Sequence, residues 1–323
     1  MHNRNRPMAT TYQESGRLAL GAVAPIVDDI DADSEPVDVA VVIPAFNETK
    51  GVGPTIDRVR GALRATPFTH DIIVVDDGST DSTPVQAEKH GARVIRLPEN
   101  CGYGAALKAG IRRSRSTLVV IMDADGTYPA ETIPRLLERA VDADMVVGSR
   151  AMNDTSVPPI RRPAKIFLGM LASYLAGRRI PDLNSGLRVM RRSVLLRFLH
   201  LLPSGFSFTT TITLALLCTN HVVHYIPIAC APRVGSSKLR SREFTAFIML
   251  VLRTVVLFNP LKVFMPLGAV LFITGSVKLA YDLLLWNVSE TAVMAFLAAL
   301  IIWSVGLLAD MIARIQLNAS GTV

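Results

Sequence analysis

Nineteen consecutive residues, Thr291–Ala309, carry no charge, and any fold for the chain has to house them. An α-helix needs about 20 apolar residues to cross a bilayer. Val263–Leu285 is a second apolar run, interrupted by Lys278 and Asp282, whose i,i+4 spacing lets them pair on one helix face. Phe244–Phe258 is apolar apart from Arg253 and stops at Asn259–Pro260. It is too short to span comfortably, so residues 241–259 read as an amphipathic helix lying in the interface. A buried helical core is the alternative for all three runs, but so few charges favour a two-helix membrane anchor over 260–315, with 316–323 as a short tail. Lys238, Arg240, Arg242, Arg253 and Lys262 precede the first crossing, Arg314 follows the second, and the 286–290 connection has no basic residue. That asymmetry places both termini and everything before the anchor on the cytoplasmic side of the cell membrane. The paired crossings also offer a surface for homo-oligomerisation.

The rest of the chain is ordinary by contrast. Overall, 50% of residues are hydrophobic, 19% are charged and mean hydropathy is +0.36, which excludes disorder, collagen and coiled coil as the main architecture. The surplus is concentrated after residue 240. Net charge is +7, a balance suited to phosphates or an anionic membrane face. No basic–aromatic surface points to nucleic acid. Cys101, Cys218 and Cys230 lie far apart without a C-x-x-C, so neither a zinc site nor a disulfide framework is implied, and a reducing compartment is expected. Residues 1–38 lack apolar periodicity and end in an acidic run, which reads as a disordered tail; Arg4 and Arg6 precede no apolar core of signal-peptide length.

From Val39 the pattern becomes one of short β-branched runs alternating with helical stretches. Val39–Ile43, Asp71–Val75, Ala92–Arg96, Thr117–Met122 and Asp144–Val147 are the expected strands, and helices are expected near 51–65, 81–90, 103–115 and 130–141. Thr80, Asp81 and Ser82 are candidate caps for the second helix. This alternation predicts a mixed, mainly parallel α/β sheet with helices on both faces. Ligands in such sheets bind beyond the carboxyl ends of the strands. The residues there are Pro44–Glu48, Asp76–Thr80, Asn100–Gly104, Asp123–Tyr128 and Gly148–Arg150, and all five turns are polar, Gly-rich or acidic.

Asp123-Ala-Asp125 follows the fourth strand directly. Two carboxylates at i and i+2 can converge on a hard cation such as Mg²⁺ or Mn²⁺, which takes oxygen ligands and shares them with phosphates. A pair of capping aspartates would look the same, but four other polar strand ends favour the metal. In Asp76-Asp77-Gly78-Ser79-Thr80-Asp81 a plain capped turn explains Ser79 to Asp81 and leaves Asp76 and Asp77 available to a nucleobase or ribose. Gly102-Tyr103-Gly104 only approaches a dinucleotide fingerprint and reads as a close-packed turn beside a nucleotide.

Together Val41-Val-Ile-Pro-Ala-Phe-Asn-Glu48, Val74-Val-Asp-Asp-Gly-Ser-Thr-Asp81, Asn100-Cys-Gly-Tyr-Gly-Ala-Ala106, Asp123-Ala-Asp-Gly126, Gly148-Ser-Arg150 and Asp182-Leu-Asn-Ser-Gly-Leu-Arg188 closely resemble the family 2 glycosyltransferases. Within them the chain is similar to the dolichol-phosphate mannose synthase and bacterial polyprenyl-phosphate glycosyltransferase branch, over about residues 39–240. The resemblance implies a GT-A catalytic domain there, a nucleotide-sugar donor (GDP-mannose or a UDP-hexose), Mg²⁺ or Mn²⁺, and a polyprenyl phosphate acceptor, undecaprenyl or dolichyl. It assigns Pro44, Ala45, Asn47, Glu48, Asp76, Asp77, Gly102 and Asp123 to the nucleotide-sugar, Asp123 and Asp125 to the metal, and Asp125, Asp182 and Arg150 to catalysis. Thr127 stands where many mannose synthases carry Gln or Asp, and its hydroxyl is a weaker ligand. For the acceptor phosphate the candidates are Arg150, Arg161, Arg162, Lys165, Arg188, Arg233 and Lys238; Arg233-Val-Gly-Ser-Ser-Lys238 resembles the family's basic loop before the membrane. Asp182 is expected to orient an arginine rather than to act as a base. The expected reaction is inverting transfer of one sugar. A processive polysaccharide synthase would carry Q-x-x-R-W, absent here, and an inactive membrane scaffold would not need the acidic pair and the basic series together.

Overall fold

The computed structural model describes residues 35–150, 169–230 other than 171, 175 and 206, and 249–319 other than 250, 251, 254, 287 and 288. The first half alternates β1 (Val37–Ala45), α1 (Val52–Arg64), β2 (His70–Asp76), α2 (Thr83–Lys89), β3 (Arg93–Arg96), α3 (Tyr103–Arg113) and β4 (Ser116–Ile121). A 3-10 turn at Ala130–Thr132 then runs into α4 (Ile133–Arg139), followed by β5 (Met145–Arg150). Beyond residue 180 come β6 (Arg188–Arg191), α5 (Arg192–Phe198), α6 (Phe208–Cys218) and β7 (Val223–Ile228), and the chain ends in α7 (Leu261–Leu284) and α8 (Glu290–Ala319).

The strands form one sheet in the order β3-β2-β1-β4-β6-β5-β7. Every neighbouring pair is parallel except those made by β6, which runs antiparallel to both β4 and β5. In β1 every residue from Val39 to Ile43 is fully buried, as expected where helices cover both faces. Side chains alternate across the sheet. Val39, Val41 and Ile43 pack with Val52, Ile56 and Leu63 of α1 and Leu136 of α4, while Ala40 and Val42 pack with Leu107 and Ile111 of α3 and Phe208 and Ile212 of α6.

All five expected strands are present. β6 and β7 were not anticipated, and β6 has a consequence for the site. Because it is antiparallel, its amino end at Arg188 lies beside Ile121 at the carboxyl end of β4 and Val147 near that of β5. The loop 182–187 is thereby delivered to the same sheet edge as the strand-end turns.

Helices α7 and α8 are long and apolar enough to cross a membrane, and most of their side chains are exposed. They meet through small residues: an added Cβ at Gly268 would lie 2.2 Å from Trp303 Nε1, and one at Gly306 would lie 2.6 Å from Phe264 Cβ. Lys278 and Asp282 pair as the spacing predicts, and Asp282 also accepts from the hydroxyl and, at 3.1 Å, the N–H of Ser289 across the turn. Of the expected interfacial helix, residues 252–253 and 255–258 are helical. Val255 is buried with Leu214 and Leu217 of α6, and Phe258 meets Phe198 edge-on at 6.0 Å, so this segment packs on the α/β unit.

Candidate functional site

The carboxyl ends of β1 and β2 are tied into one rim by side-chain bonds to backbone. Asn47 sits at φ 54°, a left-handed position that asparagine tolerates. Its N–H donates to Ser79 Oγ at 2.9 Å, and its Oδ1 accepts from Thr80 N–H at 2.9 Å. Glu48 N–H donates to Thr83 Oγ1 at 2.8 Å. Of the three candidate caps, Ser82 takes the N-cap position of α2 with no side-chain bond, and Asp81 one residue earlier accepts from Thr83 N–H at 2.9 Å. Asp76 and Asp77 are both buried. Asp76 accepts from Ser79 N–H at 3.1 Å and lies 3.6 Å from Arg96 Nε; the two Asp77 oxygens accept from Cys101 and Gly102 N–H at 2.8 and 2.9 Å. The Gly102-Tyr-Gly104 turn is close-packed: Gly102 has φ 99°, and a Cβ on Gly104 would fall 2.3 Å from Pro203 O. Pro44 and Ala45, at the end of β1, lie alongside Val75 and Asp76 of β2.

The turn after β4 presents the acidic pair, with both residues half-buried. Asp123 Oδ1 accepts from the Tyr103 hydroxyl at 2.9 Å, and Asp125 Oδ1 accepts from Thr127 N–H at 3.0 Å. The Ala124 carbonyl between them is held by Thr55 Oγ1 at 3.1 Å. Burial pushes the Tyr103 phenol up, and the Asp123 charge pushes it further, so it stays a neutral donor. Gly186 supplies the room beside this pair: a Cβ there would sit 2.4 Å from Asp123 Oδ2. Its N–H donates to the Tyr128 hydroxyl at 2.7 Å.

Across the edge, Arg150 at the end of β5 forks onto Asp182, Nε to Oδ2 at 2.9 Å and Nη2 to Oδ1 at 3.0 Å. Arg150 N–H adds a contact to Asp182 at 3.2 Å, and Asn184 N–H donates to the same carboxylate at 3.0 Å. Burial works against the Asp182 charge, but the Arg150 fork outweighs it and holds the carboxyl below its ordinary value. The Asp182 side chain is only 9% exposed, whereas Arg150 keeps 31%. Tyr128 joins the two halves: its phenol is raised by burial first, then feels Asp123, Arg150 and Asp182.

Arg188 requires a correction. It was expected to bind the acceptor phosphate, but its side chain is fully buried and its guanidinium is spent on Ser185 O, Leu183 O and Thr213 Oγ1. A phosphate has no route to it. Arg161, Arg162, Lys165, Arg233 and Lys238 lie outside the described residues. Tyr103 and Tyr128, which the sequence reading did not single out, prove central to the geometry. Their signal was present as aromatic hydroxyls inside two of the five strand-end turns.

The donor set fits a hard divalent cation: Asp123 and Asp125 bring carboxylate oxygens to one turn, with no thiolate or imidazole among them. Among the described residues no group of three His, Cys, Asp or Glu gathers to hold an ion by protein ligands alone. The pair thus suits a cation that completes its shell with substrate phosphates and water.

Comparison with known proteins gives the arrangement relatives. The profile of glycosyl transferase family 2 matches residues 40–199, and that of the GtrB C-terminal hairpin matches residues 259–315. A dolichyl-phosphate hexose transferase of Haloferax volcanii is 34% identical over 204 residues, 62% of this chain and 86% of that protein. A dodecaprenyl-phosphate galacturonate synthase of Rhizobium johnstonii is 33% identical, over 52% of this chain and 53% of its own length. An undecaprenyl-phosphate 4-deoxy-4-formamido-L-arabinose transferase of Pseudomonas paraeruginosa is 34% identical, over 53% and 55%. The chain thus spans about half the length of the latter two. Among solved structures, glucosyl-3-phosphoglycerate synthase from Mycobacterium tuberculosis, in complex with Mn²⁺, UDP-glucose and phosphoglyceric acid, aligns with TM-score 0.54 at 20% identity, over 68% of this chain and 80% of that one. Mannosyl-3-phosphoglycerate synthase from Rubrobacter xylanophilus aligns at 0.53 and 22%, over 68% and 72%. Those likenesses establish the fold.

Proposed function

Because the chain belongs to glycosyl transferase family 2, we propose that it moves one sugar, with inversion, from a nucleotide-sugar to a polyprenyl phosphate at the cytoplasmic membrane face. The observation that carries this reading is the meeting, at one sheet edge, of an acidic pair and an arginine–carboxylate pair, with Asp123, Arg150 and Asp182 all within electrostatic reach of Tyr128. An apolar hairpin follows in the same chain. The relatives named for dolichyl, dodecaprenyl and undecaprenyl phosphates support the acceptor class. Residues 39–240 form the catalytic unit in this proposal and 260–315 the anchor, with both termini cytoplasmic.

The donor lies along the rim from Pro44 to Glu48 and from Asp76 to Gly102. A divalent cation, Mg²⁺ or Mn²⁺, held by Asp123 and Asp125 would neutralise charge on the departing diphosphate. The acceptor phosphate monoester has its second pKa near about 6 and is mostly dianionic at neutral pH, so it attacks the anomeric carbon with little general-base help. The new C–O bond forms as the bond to the nucleotide diphosphate breaks, with the nucleotide leaving on the opposite face. Arg150 orients the attacking phosphate while Asp182 holds the guanidinium in place. Arg161, Arg162, Lys165, Arg233 and Lys238 supply the remaining positive charge for the lipid phosphate. A panel of nucleotide-sugars offered to membranes containing the protein and polyprenyl phosphate tests the proposal by counting labelled sugar in the lipid phase. Transfer from one or a few donors is expected, and none from any donor would overturn the reading.

A further inference from the structure

Arg188 is 0% exposed and among the largest fully buried side chains of the described residues. Its Nε donates to Ser185 O at 2.8 Å, Nη2 to Leu183 O at 2.7 Å, and Nη1 to Thr213 Oγ1, with Met145 Sδ 3.7 Å away. Thr213 is in turn fixed on α6, its hydroxyl donating to Thr209 O at 2.7 Å. Every one of these partners is neutral. A cation whose hydrogen bonds all go to neutral groups is costly to bury. Asp182 adds a favourable charge through space, but the directed bonds of the guanidinium all go to neutral groups, and what those bonds fix is geometry.

That geometry belongs to the loop 182–186. Two of its carbonyls end on Arg188, its Asn184 accepts from Thr210 of α6, and its Ser185 hydroxyl donates to Gly148 O. One end of the loop carries Asp182, which holds Arg150; the other carries Gly186, whose missing Cβ leaves space for Asp123. A shift of this loop would move the arginine pair against the acidic pair.

We propose that Arg188 is a positioning residue that, anchored on Thr213 of α6, clamps the loop 182–186 and so sets the alignment of Arg150–Asp182 with Asp123–Asp125. The proposal rests on the glycosyl transfer reading of the site. Misplacing a bound nucleophile by about an ångström can cost about a hundredfold in rate. Arg188→Lys keeps a charge but cannot serve both carbonyls and the hydroxyl together. It is expected to lower kcat for sugar transfer about tenfold or more while leaving the donor KM and nucleotide binding within about twofold. Thr213→Val removes only the anchor and should lower kcat in the same sense, which serves if Arg188→Lys does not fold.

A double-mutant cycle with Arg150→Lys separates positioning from general weakening. Because both residues act through one loop, the double variant should lose little more than the worse single one. Losses that multiply, or an unchanged kcat in a folded Arg188→Lys or Thr213→Val protein, would overturn the proposal. Amide exchange provides a readout independent of turnover: the N–H groups of Asn184 and Gly186 should exchange faster in Arg188→Lys while those of β1 and β4 stay protected. If the wild-type protein transfers no sugar, the transfer reading fails and the clamp is judged on exchange alone. Faster exchange confined to 182–187 then supports it, and unchanged exchange overturns it.

Discussion

At Asp125 the proposed chemistry depends on a charge rather than on a shape. Asp125→Asn keeps volume and can still accept from Thr127 N–H, so the fold should persist. Turnover at ordinary Mg²⁺ or Mn²⁺ concentrations should fall about a hundredfold, the scale of losing one electrostatic contact to developing charge. Wild-type turnover in the folded variant would remove Asp125 from the site. Asp182 makes a second prediction, in stability. Its folded-state pKa lies below the ordinary 3.8, since the Arg150 fork outweighs burial. A depressed carboxyl contributes its stability fully above the unfolded value of about 3.9 and loses it as pH falls through the folded value. The stability gap between wild type and Asp182→Asn should therefore be flat from about pH 8 to about pH 5 and narrow below about pH 4. Urea denaturation across that range reads it, and a gap that widens on acidification would contradict the pairing.

Among the elements, β1, β2, β4 and β5 were legible because each is an apolar β-branched run closed by a polar turn, the pattern of a strand buried on both faces, and the short β3 from its place in the strand–helix alternation. β6 was not. Its sequence, Arg188-Val-Met-Arg191, has two apolar residues between two arginines, as β3 has in Arg93-Val-Ile-Arg96, but no helical stretch read from the sequence leads into it to mark it as the next strand. Yet its antiparallel insertion between β4 and β5 carries the 182–186 loop to the site. The same gap misplaced Arg188. An arginine read alone suggests phosphate, and only a hydroxyl 25 positions away on α6 marks it as interior. By contrast the acidic pair, the capped turn at Asp81 and the Lys278–Asp282 pair follow from spacing within one element, and spacing is visible in sequence. The hairpin helices were legible from charge depletion, but not how they touch. Gly268 accepts the Trp303 ring against its backbone, so Gly268→Val should part α7 from α8. A lower unfolding temperature for the full chain in detergent, with nucleotide binding retained, is the expected result; an unchanged temperature would show that this contact contributes nothing.

For the molecule as a whole, the proposed transfer joins a sheet edge that would take the nucleotide-sugar to a hairpin long and apolar enough to hold it at a membrane. The packing of Val255 and Phe258 against the α/β unit shortens the distance between the two, since the chain enters α7 a few residues later. The orientation proposed from basic residues predicts that a cysteine at position 320 is shielded from impermeant reagent in intact cells, while one at position 287 is labelled. Labelling at 320 and not at 287 would reverse the topology. Whether a single sugar is joined to a polyprenyl monophosphate is read from mass spectrometry of the lipid product. With the accepted donor, purified protein and polyprenyl phosphate, one product is expected whose mass exceeds the acceptor's by one dehydrated sugar, carrying one phosphorus, with free nucleoside diphosphate released in equal amount. A lipid carrying two phosphates, a ladder of added sugars, or nucleotide release without any lipid product would contradict it.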